Sequence, residues 1–228
     1  MKKTSKATLK ERAYASIRDA IINRQIRRDM IYSEQWFAEK FGVSRTPVRE
    51  ALLQLRNEGL VDVIPNRGMI IRNLTMDDAK HLFQMRGAIE GFCAAHLARS
   101  HDQPKAIATL DAIEAAMERC RDDFNMNDEL AIHTETIAFA DNPLFTEEFQ
   151  RMRTQIEVFW WDVIALANRS LEAHREHEEI LRCMRAGDAA GAYNASIRHS
   201  QITLQRIRER ATFDFPSEWK LADYPMEK

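Results

Sequence analysis

The 228-residue chain has little cysteine and no long apolar run, and each absence narrows its class. Cys93, Cys120 and Cys183 are odd in number and far apart. They suit neither a disulfide framework nor the paired spacing of a zinc ribbon, and read as reduced packing residues. No stretch approaches the ~20 apolar residues of a membrane span. The opening Met1-Lys2-Lys3-Thr4-Ser5-Lys6 lacks the apolar core of a signal peptide. The expectation is a cytoplasmic protein with no membrane partner. From Thr75 onward alternating strand patterns are missing, and prolines before the tail are confined to Pro104 and Pro143. No internal repeat, zincin motif or nucleophile motif is present. The Lys- and Ser-rich start, to about Thr8, is the one low-complexity segment and is expected to be disordered.

A net charge of -2 conceals a division. Before Thr75, Lys and Arg outnumber Asp and Glu by 15 to 8; from Thr75 on they are outnumbered 18 to 27. The basic part can bind phosphate, whereas the acidic part is repelled by it. Thr75-Met76-Asp77-Asp78 has the pattern of a capping box that starts a new segment, so a domain boundary is expected there.

Within the basic part, Val43-Ser44-Arg45-Thr46-Pro47-Val48-Arg49-Glu50-Ala51-Leu52 reads as a helix start. Ser44 suits an N-cap, Pro47 is tolerated in a first turn, and Val48, Ala51, Leu52 and Leu55 recur at helical spacing. Arg45 and Arg49, four apart, share the opposite face. Upstream, Ser33 can cap a helix carrying Phe37 and Phe41, and Gly42 supplies its stop. Together these meet the requirement of a helix-turn-helix. Tyr14, Ile17 and Ile21 mark an earlier helix that packs beneath it. Gly59-Leu60 ends the second helix, and Val61 to Ile64 and Met69 to Ile71 flank Pro65-Asn66-Arg67-Gly68 as a two-stranded wing with a basic tip. The competing reading of these residues alone is an ordinary helical hairpin with solvated arginines.

The acidic part has helical apolar spacing almost throughout. Helices are expected over Met76 to Ala98, Pro104 to Arg121, Asn127 to Ala140, Pro143 to Ala167, Leu171 to Arg185 and Asp188 to Arg210. Asn142-Pro143 and Gly187-Asp188 punctuate them as caps and stops. Short connections imply mostly antiparallel neighbours. The tail from about Ala211 sets Phe213, Phe215, Trp219 and Tyr224 among polar residues, which suits either disorder or docking on a partner subunit. Phe159, Trp160 and Trp161 suit core or a subunit contact better than a ligand stack.

Glu129 and His133 are four apart and are expected on one helix, with His177 and His199 on two others. A carboxylate and three imidazoles suit a borderline divalent cation such as zinc, nickel or manganese, although chance histidine pairs are common. His174 competes with His177 and suits a surface position. Arg86 and Glu90 are four apart on the first bundle helix. They read either as an ordinary ion pair or as an arginine offered to a ligand carboxylate. Arg153 and Asn194 are further candidates for the same cavity wall.

Ser44-Arg45-Thr46-Pro47-Val48-Arg49-Glu50-Ala51-Leu52, then Leu55, Glu58-Gly59-Leu60-Val61 and Pro65-Asn66-Arg67-Gly68, closely resemble the winged-helix domain of GntR-family bacterial transcription regulators. The resemblance spans about residues 10 to 72. It implies DNA contact by Arg45, Thr46 and Arg49, with Ser44 and Arg67 beside them, and a wing backbone brought close to the minor groove by Gly68. Arg28-Asp29 stands where that family usually has Pro-Gly, and Gln35 where it often has arginine. Arg86-Gly87-Ala88-Ile89-Glu90, His133 with Asn142-Pro143-Leu144, Glu176-His177-Glu178-Glu179-Ile180-Leu181 with Ala186-Gly187-Asp188, and His199 resemble the helical FCD domain of the FadR-type subgroup. That resemblance implies a divalent metal on His133, His177 and His199. The family's aspartate position holds Glu129, with Asp128 adjacent, and small carboxylate ligands complete the coordination and engage Arg86.

The expected architecture is mainly α: residues 1–74 as a winged helix-turn-helix and residues 75–228 as an all-α antiparallel bundle. The expected function is a ligand-responsive transcription regulator, a repressor, that binds a pseudo-palindromic double-stranded DNA operator as a homodimer. It is expected to sense a small carboxylate. Two rivals remain at this point: a metal-dependent hydrolase-like enzyme, and a constitutive DNA-binding protein whose bundle serves only to dimerise.

Overall fold

The computed structural model describes residues 8–72, 74–123, 125–168 and 171–210. The expectations for the N-terminal start and for Phe213, Phe215, Trp219 and Tyr224 lie outside the described residues, as do the side chains of Phe159, Trp160 and Trp161. Two compact units divide the rest, one mainly from the chain up to Leu74 and the other mainly from Thr75 onward.

The first unit runs α1 (Leu9–Ile22), β1 (Ile31–Tyr32), α2 (Glu34–Phe41), α3 (Arg45–Asn57), β2 (Val61–Ile64) and β3 (Gly68–Ile71). Thr8 and Glu11 form a capping box that starts α1, which buries Ile17 and Ile21. Ser33 caps α2 by accepting from the Trp36 N–H at 3.0 Å, and Gly42 ends it at φ 64°. Val48, Leu52 and Leu55 of α3 are fully buried, each contributing on the order of 1.5–3 kcal/mol of apolar transfer. Ser44 stands at the N-cap of α3, but its hydroxyl makes no capping hydrogen bond.

The wing has one strand more than its sequence pattern suggests. β1 pairs antiparallel with β3, Ile31 opposite Ile70, and β3 pairs with β2, giving the order β1-β3-β2. Two residues carry no readable alternation, so only the distant pairing reveals β1. Where the resembling family has Pro-Gly, other bonds tie the loop. The Tyr32 hydroxyl accepts from the Arg27 N–H at 2.9 Å and donates to the Arg27 carbonyl at 3.1 Å, while Arg27 pairs with Asp29.

Pro65 and Asn66, the latter at φ 60°, turn β2 into β3, closed by the Arg67 N–H on the Ile64 carbonyl at 3.0 Å. This is the residue preference of a type II turn. Gly68 follows at φ 132°, and a Cβ there would lie 2.4 Å from the Tyr32 carbonyl oxygen. The β1–β3 approach alone therefore demands glycine. Gly68→Ala is expected to cost about 2 kcal/mol or more, lowering the melting temperature by about 4 °C or more in a thermal scan of the full chain. An unchanged melt would show that the wing shifts freely.

The second unit runs α4 (Met76–Arg99), α5 (Pro104–Asp122), α6 (Met126–Glu129), α7 (Ala131–Phe139), α8 (Pro143–Asn168), α9 (Leu171–Arg185) and α10 (Ala189–Arg210). The caps act as their residues suggest. Thr75 and Asp78 form the capping box of α4, Asn142 Oδ1 accepts from the Leu144 N–H, and Gly187 at φ 71° precedes Asp188, which accepts from the Gly191 N–H. Leu97, Leu110, Ile113 and Met184 anchor one core, joining α4, α5 and α9; Ile89, Cys93, Phe149 and Met152 join α4 to α8.

The helix expected over Asn127 to Ala140 is broken. Leu130 is a turn residue between α6 and α7, so Glu129 and His133 lie on separate helices. α6 is drawn to α5 by Asp128 pairing with Arg119 at 2.6 Å, while α7 is held by His133 against Arg86 of α4. One straight helix does not serve both attachments.

Candidate functional site

On the first unit, α3 presents Ser44, Arg45, Thr46 and Arg49 to solvent, with Arg67 half-buried at the wing tip. Arg45 and Arg49 are about 70% exposed, far more than any side chain a core would accept. Both turn toward Glu34 at the start of α2. Its Oε2 lies 3.9 Å from Arg45 and its Oε1 3.6 Å from Arg49. Sequence reading passed over Glu34, because nothing in local spacing ties α2 to α3.

On the second unit, α7, α9 and α10 bring His133, His177 and His199 together, all buried, with one ligand atom from each within 4.8 Å of the others. The Nε2 atoms of His177 and His199 are 3.3 Å apart. Two nitrogens about 2.0–2.1 Å from one tetrahedral ion would stand about 3.3 Å from each other. His199 Nδ1 lies 2.8 Å from Glu176, whose carboxylate also receives the Arg206 guanidinium. With Nδ1–H donating to Glu176, the His199 lone pair is left on Nε2, facing His177. His174 is half-buried against Glu178 and is not in the cluster.

Glu129 joins this group through His177 alone, its Oε1 3.6 Å from His177 Nδ1. The Cys120 thiol donates to Oε2 at 3.5 Å, while Oε1 is enclosed without a hydrogen-bond partner. An orphaned buried oxygen is costly unless something charged or protic meets it. Asp128, the alternative carboxylate, faces outward onto Arg119 and Asn125.

Arg86 reaches the same place from α4. Its Nε donates to Glu90 Oε1 at 2.7 Å, and its terminal nitrogen approaches His133 Nε2 at 3.0 Å. Glu90 also stands 3.2 Å from His133 Nδ1. Glu90, His133, Thr136 and Ser196 line a cavity of about 10 Å³, room for one water. The structure does not bring all the expected wall residues here. Asn194 is exposed on α10, turned away from His199 by its five-residue offset, and Arg153 is half-buried on α8. Ser196 and Thr203, three and four residues from His199, face inward instead.

Burial sets the electrostatics. It pushes the His133 imidazole down to about 4, with Glu90 opposing and Arg86 adding, and it pushes His177 and His199 below the ordinary histidine value. The three rings are neutral, the form that ligates metal. Burial raises the Glu129 carboxyl to about 7 despite Cys120 and Arg86. Glu90 behaves oppositely: burial raises it, but Arg86 and His133 outweigh that and hold it ionised. Three neutral imidazoles fit a divalent cation once the Arg86 guanidinium leaves His133 Nε2, while Glu129, on the Nδ1 side of His177, stands outside the cluster of three.

A winged helix-turn-helix with exposed arginines on its second helix, carried in one chain with a helical bundle, defines a helix-turn-helix transcription regulator. Comparison with known proteins agrees. Residues 9–71 match the gntR family of bacterial regulatory proteins, and residues 81–201 match the FCD domain. The chain belongs to the GntR family, in its FadR-type subgroup, whose members are regulators and not enzymes. It is 36% identical over 113 residues to an HTH-type transcriptional regulator from the TAR-I ttuE-ttuC' intergenic region of Agrobacterium vitis, covering 47% of this chain and 66% of that one. It is 24% identical over 202 residues to the HTH-type transcriptional repressor RspR of Escherichia coli, covering 82% and 88%. Among solved structures, a GntR regulator from Rhodococcus sp. RHA1 shares its fold at TM-score 0.65 and 22% identity, covering 88% of this chain and 98% of that one. McbR/YncC of E. coli does so at 0.63 and 17%, covering 90% and 99%. Among the described residues no helix is long and apolar enough to cross a membrane.

Proposed function

We propose that this regulator is a repressor whose residues 1–74 grip a pseudo-palindromic operator as a homodimer while residues 75–228 sense a small carboxylate at a metal centre. The observation that carries the reading is the buried trio His133, His177 and His199 beside the orphaned oxygen of Glu129. The three imidazoles would hold a zinc, nickel or manganese ion, with Glu129 a fourth ligand if it turns from the Nδ1 side of His177, and such an ion would supply open positions that a carboxylate can fill. The RspR repressor supports the direction of control.

The chain's own residues account for the remaining steps. Arg86 donates to His133 Nε2, so this lone pair becomes a ligand only when the guanidinium swings away. The freed guanidinium offers two parallel donors, which match a carboxylate. Glu90, ionised and buried, keeps Arg86 within reach of both positions. Ser44, Arg45, Thr46, Arg49, Arg67 and the backbone at Gly68 form the DNA face. A single short recognition helix covers too few base pairs for genomic specificity, and a two-fold dimer doubles them. Exposed Phe92, packed on Phe145, and Leu144 at 71% exposure give the bundle an apolar face that supports dimerisation.

The test uses untagged protein and the DNA upstream of its own coding sequence. Operator affinity is expected to fall with salt by about 0.9 log units per neutralised phosphate for each log unit of salt, giving a slope of several units. Melting temperature is expected to rise with added metal and again with small carboxylates. Salt-insensitive DNA binding would defeat the assignment of the DNA face. A melt indifferent to metal and acids would leave the constitutive DNA-binding reading.

A further inference from the structure

We propose that Glu34 is a specificity-determining residue: one carboxylate that faces both recognition-helix arginines and penalises loose phosphate binding. The proposal rests on the DNA-binding reading above, and concerns what separates operator from other DNA.

Glu34 is the first residue of α2, directly after the Ser33 cap. Its two oxygens divide between two partners, Oε1 facing Arg49 and Oε2 facing Arg45, residues one helical turn apart on α3. Exposed pairs of this kind add little to folding stability, so stability does not account for the arrangement. Its effect falls on the arginines. The carboxylate biases both guanidiniums toward one side of the recognition helix before DNA arrives, without hydrogen-bonding either of them.

The same carboxylate changes what the site accepts. The N-terminus of a helix is an anion site, and the first helix of the motif crosses the phosphate backbone. Glu34 fills that end of α2 with a negative charge of the chain's own. A phosphate approaching Arg45 or Arg49 comes within a Debye length of this charge and is repelled. A guanine edge offers neutral acceptors to arginine and escapes most of that repulsion. Gln35, where the resembling family often has arginine, adds no competing cation and bonds to Glu39 at 2.6 Å. Base contact is thus favoured over phosphate contact by subtraction, as in other interfaces that reject wrong partners through like charge.

The experiment selects a binding duplex for the wild-type chain from a randomised library. It then measures affinity for that duplex and for a scrambled one, across salt, with Glu34→Gln, Glu34→Asp and Glu39→Gln. Glu34→Gln is expected to tighten scrambled-duplex binding several-fold and steepen its salt slope by up to about one unit. Binding to the selected duplex should hold or weaken, so that the specificity ratio falls about tenfold. Glu34→Asp keeps the charge but withdraws it from the arginines, so it should lower the ratio without steepening the slope; it decides the matter if Glu34→Gln fails to fold. Glu39→Gln, which removes a carboxylate from the same helix away from the arginines, should leave the ratio unchanged. A ratio unchanged by either Glu34 variant, or affinities for both duplexes that rise together, overturns the proposal. A wild type that selects no sequence at all overturns the DNA reading beneath it, and is seen before any variant is made.

Discussion

If the trio binds a divalent ion as proposed, His177→Ala and His199→Ala are each expected to lose it, together with the rise in melting temperature that it would confer on the wild type. With metal at about 100 times its Kd the wild type is expected to gain about 2.7 kcal/mol, a shift of about 5–10 °C for a chain of this size. His174→Ala keeps both, because His174 pairs with Glu178 outside the cluster. Metal analysis of untagged protein and paired thermal scans with and without chelator provide the measurement. The chelated protein adds a pH signature. The folded His133 sits near 4 against about 6.5 when unfolded, so the unfolded chain takes up the proton first. Stability from this group is fully present above pH ~6.5 and is lost as pH falls toward 4, on the order of 3 kcal/mol in all. A bound metal would keep the rings unprotonated and is expected to move that loss to lower pH. Identical melts for wild type and both variants, with metal and without, would reduce the histidines to packing residues.

Arg45→Ala and Arg49→Ala are each expected to weaken operator binding by about 1–3 kcal/mol, five- to 150-fold, with normal melting. Their exposure makes the separation possible: nothing in the core rests on either guanidinium. Val48→Asp has the opposite profile. Val48 is fully buried, and an unpaired charge there unfolds the winged helix, lowering the melt and abolishing DNA binding together. Quantitative gel shifts beside circular dichroism melts distinguish the cases. Full affinity in both arginine variants would mean that α3 is not the reading helix.

What sequence made legible was local. Ser33, Gly42, Thr75, Asn142 and Gly187 act within a few residues of themselves, so their helices begin and end where the residue types require. The buried stripe of α3 follows from a helical repeat of apolar residues. The histidine positions came from resemblance to a family more than from spacing, since spacing had also put Glu129 and His133 on a single helix that Leu130 interrupts. The residues missed act across the fold. Glu176 reaches from α9 to His199 and Arg206 of α10, and Cys120 reaches from α5 to Glu129 of α6. Glu34 meets α3 from α2. No period within one helix announces such meetings. Asn194 is a different failure: five residues before His199 it lies about 140° away around a helix, and that angle was available from the sequence.

The central claim is that acid binding in the bundle is coupled to DNA affinity. It is tested most directly by measuring the operator Kd of the metal-loaded wild type across a panel of small mono-, di- and tricarboxylates, with the same titrations repeated on Arg86→Ala. At least one acid is expected to weaken operator binding by about 5- to 150-fold, the range of a 1–3 kcal/mol coupling, and to do so less or not at all in Arg86→Ala. An operator Kd that no acid changes, in protein shown to carry its metal, would contradict the account.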